Sequence, residues 1–283
     1  MNNLKFPEWT KARRERVLAF FKAHLTDIPA HELKIAIETA CLQNPGKMLR
    51  PLLVYATGEI FTQDLASLDV AAAAIESMHT YSLIHDDLPA MDDSDLRRGI
   101  PSTHKQFDEA TAILAGDGLL TYAFDVLADS ETHEDPRVRI ELVSKMAHAA
   151  GPFGMVGGQM LDLMGETQSF DLGTISRLQR LKTGKMIAFA AEAGAILGRA
   201  SEPQRRALLA YAGDLGLAFQ VTDDILDVEG SSEETGKPTG HDAKAGKSTF
   251  VSTMGKEQAR AHAEMLVHQA IRHLHIIEHR ADA

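Results

Sequence analysis

Cysteine is almost missing from this chain: Cys41 is alone among 283 residues. That excludes an internal disulfide framework and leaves no cysteine pair for a zinc site, and it fits a reducing, cytoplasmic compartment. Aromatic residues make up only 6% of the chain, with one tryptophan, and strand-like alternation is hard to find. Basic charge is outnumbered, with 29 Lys and Arg against 40 Asp and Glu, a formal net charge of −11. Nucleic-acid binding needs the opposite balance. No uninterrupted apolar run reaches the roughly 18 residues expected of a membrane span. The amino-terminal MNNLKFPEWTKARRERVLAFF mixes charged and apolar residues, without the apolar stretch or small-residue cleavage site of a secretion signal. A soluble protein is expected.

What the chain does have is helical periodicity and 44% hydrophobic residues, enough for a core. The pattern predicts helices at 8–25, 31–43, 47–61, 65–88, 104–129, 136–149, 152–166, 171–198, 203–229 and 256–280. Breaks fall where Pro and Gly gather, in NPGK, RRGIPS and EDPR. The stretch EGSSEETGKPTGHDAKAGKST at 229–249 is the one long polar loop. Loops of that length in helical domains are commonly functional or disordered, and its spaced lysines favour a lid. No repeat or shift in composition marks a linker, so residues 1–283 read as one all-α domain.

Two aspartate clusters interrupt the apolar runs. HDDLPAMDD carries Asp86, Asp87, Asp92 and Asp93, and QVTDDILD carries Asp223, Asp224 and Asp227. In an unbroken helix Asp86 and Asp92 would point about 240° apart. Pro89 cannot continue the helical ladder, so the chain is expected to loosen there and bring Asp92 back towards Asp86. Asp223 and Asp227 stand at i, i+4 and share a face, which Gln220 extends by a turn. Carboxylates projecting into one cavity need cations. Magnesium takes one or two carboxylates and fills its other positions with water and phosphate oxygens, so a diphosphate is the expected ligand. Chance alone places roughly six acidic pairs at i, i+4 in such a composition, most of them solvated, and Asp162 and Glu166 stand at that spacing.

Cations gather in short polar islands beside turn residues: Gly46, Lys47 and Arg50 in PGKMLRP, Arg97 and Arg98 in DLRRGIP, Lys182 in LKTGK, and Lys237, Lys244 and Lys247 in the long loop. In an acidic protein this placement suggests anion capture, with Arg as a planar fork and Lys as a mobile charge. Two anionic substrates would account for the number. GKST at 246–249 is no phosphate loop, because Gly240 is one residue too early and no strand precedes it. His268, His273, His275 and His279 near the end fit a solvated helix face better than a metal site.

GKMLRP, HTYSLIHDDLPAMDDSDLRRG, GGQMLDL, LKTGKM, FQVTDDILD and TGKPTGHDAKAGKST, in that order, resemble the motifs of the trans-isoprenyl diphosphate synthases, most closely the bacterial farnesyl-forming branch. The resemblance implies an isoprenoid-synthase-type helical bundle, a homodimer, and about three Mg²⁺ ions per site, with Mn²⁺ as a substitute. It implies joining of isopentenyl diphosphate to dimethylallyl or geranyl diphosphate by ionisation, condensation and elimination, giving farnesyl diphosphate. In the family's mechanism the released diphosphate removes the proton, and no Ser/His/Asp or Cys/His constellation is found here. Carried over, Asp86 and Asp92 would hold Mg²⁺ on the allylic diphosphate and Asp223 a further ion, with Asp87, Asp224 and Asp227 supporting them. Arg97, Lys182, Thr183, Gln220, Lys237 and Lys247 would surround the same diphosphate. Gly46, Lys47, Arg50, His79 and Arg98 would hold isopentenyl diphosphate. This sequence has Met48 where many relatives have a basic residue, and its HRADA end stops short of the basic tail that relatives use to close the site.

Tyr81 precedes Asp86 by five residues, about 7.5 Å along a helix. A ring there can form a floor beneath the growing chain and stop it at fifteen carbons. The rival readings are a geranylgeranyl diphosphate synthase, a class I terpene cyclase, and a non-catalytic partner subunit of a hetero-oligomeric prenyl synthase. The cyclase needs no second diphosphate site, which PGKMLRP and Arg98 would supply. The partner subunit would be expected to have lost an aspartate cluster, and both are intact.

Overall fold

In the computed structural model, residues 5–62, 64–229 and 248–277 are described. Their contacts divide the described chain into two units, one formed by the residues up to Val143 with Ile196–Arg199, the other by Ser144–Ala195 with the residues from Ala200 onward. In chain order the first unit contains α1 (Phe6–His24), α2 (His31–Glu38) with a π-helical turn at Thr39–Gln43, α3 (Leu49–Gly58) and α4 (Leu65–Asp86). A hairpin of β1 (Leu96–Arg97) and β2 (Ile100–Pro101) follows, then α5 (Thr103–Gln106), α6 (Glu109–Ala128) and the first part of α7 (Pro136–Ala150). The second unit contains α8 (Met155–Gly165), α9 (Leu172–Gln179), a π-helical turn at Arg180–Gly184, all but the last two residues of α10 (Lys185–Leu197), and α11 (Glu202–Glu229). It closes with α12 (Phe250–Met254), α13 (Lys256–His273) and a 3-10 turn at Leu274–Ile277. The all-α reading holds.

In the first unit α4 is buried on nearly every side and packs against α3 and α6. Its Ala71, Ala72, Ala73 and Ala74 are fully buried, and side chains this small let neighbouring helices come close. Asp64 starts the helix by accepting hydrogen bonds from the amides of Ala66 at 3.1 Å and Ser67 at 3.4 Å. The 20-residue α6 is long and apolar enough, by length and composition, to cross a membrane. Here it packs along α4, with Ala112, Ala115, Leu119, Ala123 and Leu127 fully buried. In the second unit α11 packs along α13, and Leu217, Val221, Ile225, Phe250, Ala259 and Leu266 form the core.

Four departures from the expected helices have local causes. The helix expected at 47–61 begins at Leu49, because Gly46 (φ +68°) and Met48 (φ +50°) are left-handed. The RRGIPS break is a hairpin pairing Leu96 with Pro101 and Arg97 with Ile100. Arg98 (φ +54°) and Gly99 (φ +80°) sit at its two-residue turn, the positions where the hairpin twist demands positive φ. The helix expected at 104–129 divides because Asp108 caps a new start, accepting from the amide of Thr111 at 2.7 Å. The helix expected at 171–198 contains the π turn at Arg180–Gly184. The expected lid, with Lys237, Lys244 and Lys247, lies outside the described residues, as does His279.

Candidate active site

The first aspartate cluster folds back on itself. Beyond the end of α4, the amide of Asp92 donates to the carbonyl of Asp86 at 2.9 Å, and the amide of Ser94 donates to the carbonyl of Asp87 at 3.1 Å. Asp93, at φ +44°, donates to the carbonyl of Leu88 at 3.1 Å. Asp92 thus returns to the backbone of Asp86 where Pro89 interrupts the helix. The neighbouring Asp87 is engaged by Arg97. It is 2% exposed and accepts from Nε of Arg97 at 3.0 Å on both carboxylate oxygens, and from Nη2 of the same residue. Burial opposes the charge on Arg97, but the hydrogen bonds and charge of Asp87, with the nearby charges of Asp86 and Asp92, hold its pKa above the usual value. Tyr81, five residues before Asp86, is 7% exposed and stands edge-on to His85 with ring centroids 5.6 Å apart.

The first basic island meets the hairpin. Nη1 of Arg98 donates to the carbonyl of Asn44 at 2.9 Å, and the Asn44 amide donates back to the carbonyl of Arg98. A Cβ on Gly46 would stand 2.5 Å from Cζ of Arg98, so the guanidinium lies directly over this glycine. Arg14 on α1 donates to the Gly46 carbonyl at 2.6 Å and steadies the loop from below. Lys47 is exposed at the loop's edge, and Arg50 follows on the first turn of α3. His79 on α4 lies within the fields of Arg50, Arg98 and Arg97. Burial first, then those three charges, push its pKa well below the usual range, so it is a neutral hydrogen-bonding group at pH 7. Gly46, Arg50, His79 and Arg98, expected together from their motifs, are together.

Glu76 is a residue that no motif singled out. It is 2% exposed on α4 beside the charges of Arg98 and Arg50, and its Oε2 has no hydrogen-bond partner. Burial outweighs the two guanidinium charges and pushes its pKa up from 4.5 to about 7. The folded protein therefore keeps a proton that the unfolded chain releases above pH 4.5, so stability falls as pH rises through that window to about 7. Glu76→Gln removes this penalty. Between about pH 5 and about pH 8 the variant is expected to gain about 3 kcal/mol relative to wild type. Urea denaturation at both pH values checks it, and a constant difference between the two proteins refutes it.

In the second unit, Lys182 lies in the π turn and donates to Oδ2 of Asp162 on α8 at 2.8 Å. Gly158, one turn earlier on α8, allows that approach: a Cβ there would stand 2.2 Å from the backbone nitrogen of Lys182. Asp162 is thus not the solvated residue that its i, i+4 spacing to Glu166 suggested, since its side chain is only 13% exposed. The next residue begins a relay. Thr183 donates to Gln220 at 3.3 Å, Gln220 donates to Oδ1 of Asp224 at 3.3 Å, and the amide of Phe250 donates to Oδ2 of Asp224 at 2.9 Å. Asp224 is 3% exposed and anchors the start of α12. Asp223 is exposed and Asp227 half-buried on α11, one turn apart.

The donors on offer to a cation are carboxylate oxygens in pairs, Asp86 with Asp92 and Asp223 with Asp227. Among the described residues no group of three or more His, Cys, Asp or Glu side chains is assembled to hold a metal ion. Paired carboxylates completed by water and phosphate oxygens suit magnesium, which rarely occupies an all-protein cage. A family model described as polyprenyl synthetase matches residues 32–279. The chain belongs to this family. It is 51% identical over 229 residues to the farnesyl diphosphate synthase of Escherichia coli (strain K12), covering 80% of this chain and 76% of that protein. A crystal structure of an FPP/GFPP synthase from Zymomonas mobilis superimposes with a TM-score of 0.87 at 45% identity, over 97% of this chain and 94% of that one. The geranyltransferase of Helicobacter pylori, solved as a complex with magnesium and isoprenyl diphosphate, gives 0.86 at 32% identity, over 98% and 93% of the two chains. These polyprenyl synthetases share the isoprenoid synthase fold with the present chain.

Asn44, Glu76, Gly158 and the structural role of Asp162 are not evident from the sequence alone. Asn44 lies in the NPGK break, and Gly158 and Asp162 in the GGQMLDL motif, but none of these motifs names a tertiary partner.

Proposed function

We infer that this chain joins isopentenyl diphosphate to an allylic diphosphate, dimethylallyl or geranyl, and releases farnesyl diphosphate. The observation that carries the reading is the bond from the Asp92 amide to the Asp86 carbonyl, which gathers two carboxylates beside Arg97. The family match and the farnesyl diphosphate synthase relatives support it. In this reading Asp86 and Asp92 would hold Mg²⁺ for the allylic diphosphate, and Asp223 with Asp227 would hold a further ion. Bound there, Mg²⁺ supplies positive charge against the leaving diphosphate.

The chain's own residues do the rest. Arg97, held by Asp87, and Lys182, held by Asp162, present fixed positive charge to the same diphosphate. Thr183 and Gln220 offer hydrogen bonds beside Lys182, and Lys237 and Lys247 complete the allylic group. Isopentenyl diphosphate sits on Gly46, Lys47, Arg50 and Arg98, with neutral His79 as a hydrogen-bond donor. The backbone approach over Gly46 leaves the Arg98 fork fixed in place. Tyr81 stops the growing chain. The whole chain, 1–283, acts as one polyprenyl synthase domain, in the cytoplasm and as a homodimer. Ile113 and Leu114, 44% and 58% exposed on α6, offer apolar surface for a second copy.

The test is an incubation with Mg²⁺, dimethylallyl diphosphate and excess isopentenyl diphosphate, with dephosphorylated products resolved by length beside a chelator control. A dominant fifteen-carbon alcohol that disappears with chelator is expected, and absence of any product favours the partner-subunit reading. In the same assay Tyr81→Ala is expected to make products of twenty carbons or more. The floor assignment is lost if that variant still stops at fifteen.

A further inference from the structure

The side chain of His85 on α4 lies against the backbone of α6 at Gly116. A Cβ added to Gly116 would stand 2.1 Å from Nε2 of His85 and 2.4 Å from its Cδ2. Gly116 has an ordinary helical backbone and shows no positive φ. Glycine is needed there because the imidazole of His85 fills the space that a side chain would take. The ring is fixed on that side. Its Nε2 lies 3.1 Å from the carbonyl oxygen of Ile113 on the same turn of α6, and a carbonyl only accepts, so Nε2 carries the hydrogen. Asp117 is 3.9 Å from the same nitrogen.

The other side of the ring meets Tyr81. The two rings stand at 88° with centroids 5.6 Å apart, the edge-to-face geometry that aromatic pairs favour. Tyr81 and His85 are one helical turn apart on the same face of α4, so the imidazole meets the phenol edge to face from the turn that follows. A notch in α6 therefore holds His85, and His85 in turn holds Tyr81.

We propose that His85, seated on Gly116, is a positioning residue for product length, bracing the Tyr81 ring so that it stays in the path of the growing chain. This rests on the reading of Tyr81 as the floor. Without the brace the ring can rotate about χ1, and part of the population lets a longer chain pass. Gly116 touches neither substrate group in the proposed site, so it can be altered apart from the chemistry.

The experiment compares wild type, Gly116→Ala, His85→Ala, Tyr81→Ala and the double variant Tyr81→Ala/Gly116→Ala, with dimethylallyl diphosphate and excess isopentenyl diphosphate. Alanine at 116 favours the helix and acts only by evicting the ring. Gly116→Ala and His85→Ala are each expected to raise the share of products longer than fifteen carbons about fivefold, as one edge-to-face contact would allow. The double variant should match Tyr81→Ala, since a brace cannot act on an absent ring. Lengthening in Tyr81→Ala with a wild-type distribution in either brace variant overturns the proposal. An unchanged distribution in Tyr81→Ala itself sinks the floor reading, a separate failure. Effects that add in the double variant also overturn the brace, because they would mean that His85 limits the chain directly.

Discussion

Asp86→Ala is expected to lower kcat roughly 10³-fold or more, the scale of losing one principal electrostatic contact to a leaving group. The melting temperature should stay near that of wild type. The two expectations have separate causes. The fold-back after α4 depends on the Asp86 carbonyl, which accepts the Asp92 amide at 2.9 Å, and alanine retains that carbonyl. The carboxylate itself is half-buried at the end of the helix. Turnover under saturating Mg²⁺ and both substrates, with a thermal melt by circular dichroism, separates the two. Wild-type turnover would refute the metal assignment. A collapsed melt would mean that the Asp86 carboxylate is structural.

The adjacent aspartate should behave differently, and its partner shows why. Arg97→Ala leaves the carboxylate of Asp87, 2% exposed, without its guanidinium. Stranding a buried charge in this way costs about 3–5 kcal/mol. Arg97→Ala is therefore expected to lose that much stability by urea denaturation, as well as most of its turnover. The double variant Asp87→Asn/Arg97→Ala removes the stranded charge and should recover most of the stability while remaining inactive. Recovery of turnover in the double variant would mean that Arg97 serves only to neutralise Asp87. A single variant within about 1 kcal/mol of wild type would mean that the pair is solvent-screened.

This division between Asp86 and Asp87 could not be read from the letters HDD. Both residues are aspartates at the end of an apolar helix, and what separates them is Arg97, ten residues on and brought round by a hairpin too short to leave an alternating pattern. The hinge itself was legible, because Pro89 has a fixed local effect. So was the gathering of Gly46, Arg50, His79 and Arg98, since each carries chemistry in a turn or on a predictable helix face. Asp162 was not legible, because its partner Lys182 lies on another helix and spacing along one helix cannot reveal a tertiary ion pair. Glu76 was hidden in a run of alanines, where its burial depends on packing from three sides. The split at Asp108 had a readable cause, a short acidic side chain placed to cap the amide of Thr111, which the apolar period on either side masked.

The π turn at Arg180–Gly184 interrupts what would otherwise be one helical rod from Leu172 to Leu197. A π turn carries one residue more than an α turn, and such insertions commonly mark functional positions. Deleting one residue inside the turn would restore regular winding and leave the flanking faces in register, whereas deleting one outside it would rotate one half against the other by about 100°. Lys182 would then leave Asp162, or the buried side chains Met186, Ile187 and Ala190 would leave their core. The rod therefore tolerates exchange of letters far better than a change in their number, and the lysine's position is kept by a residue count that no single substitution can edit.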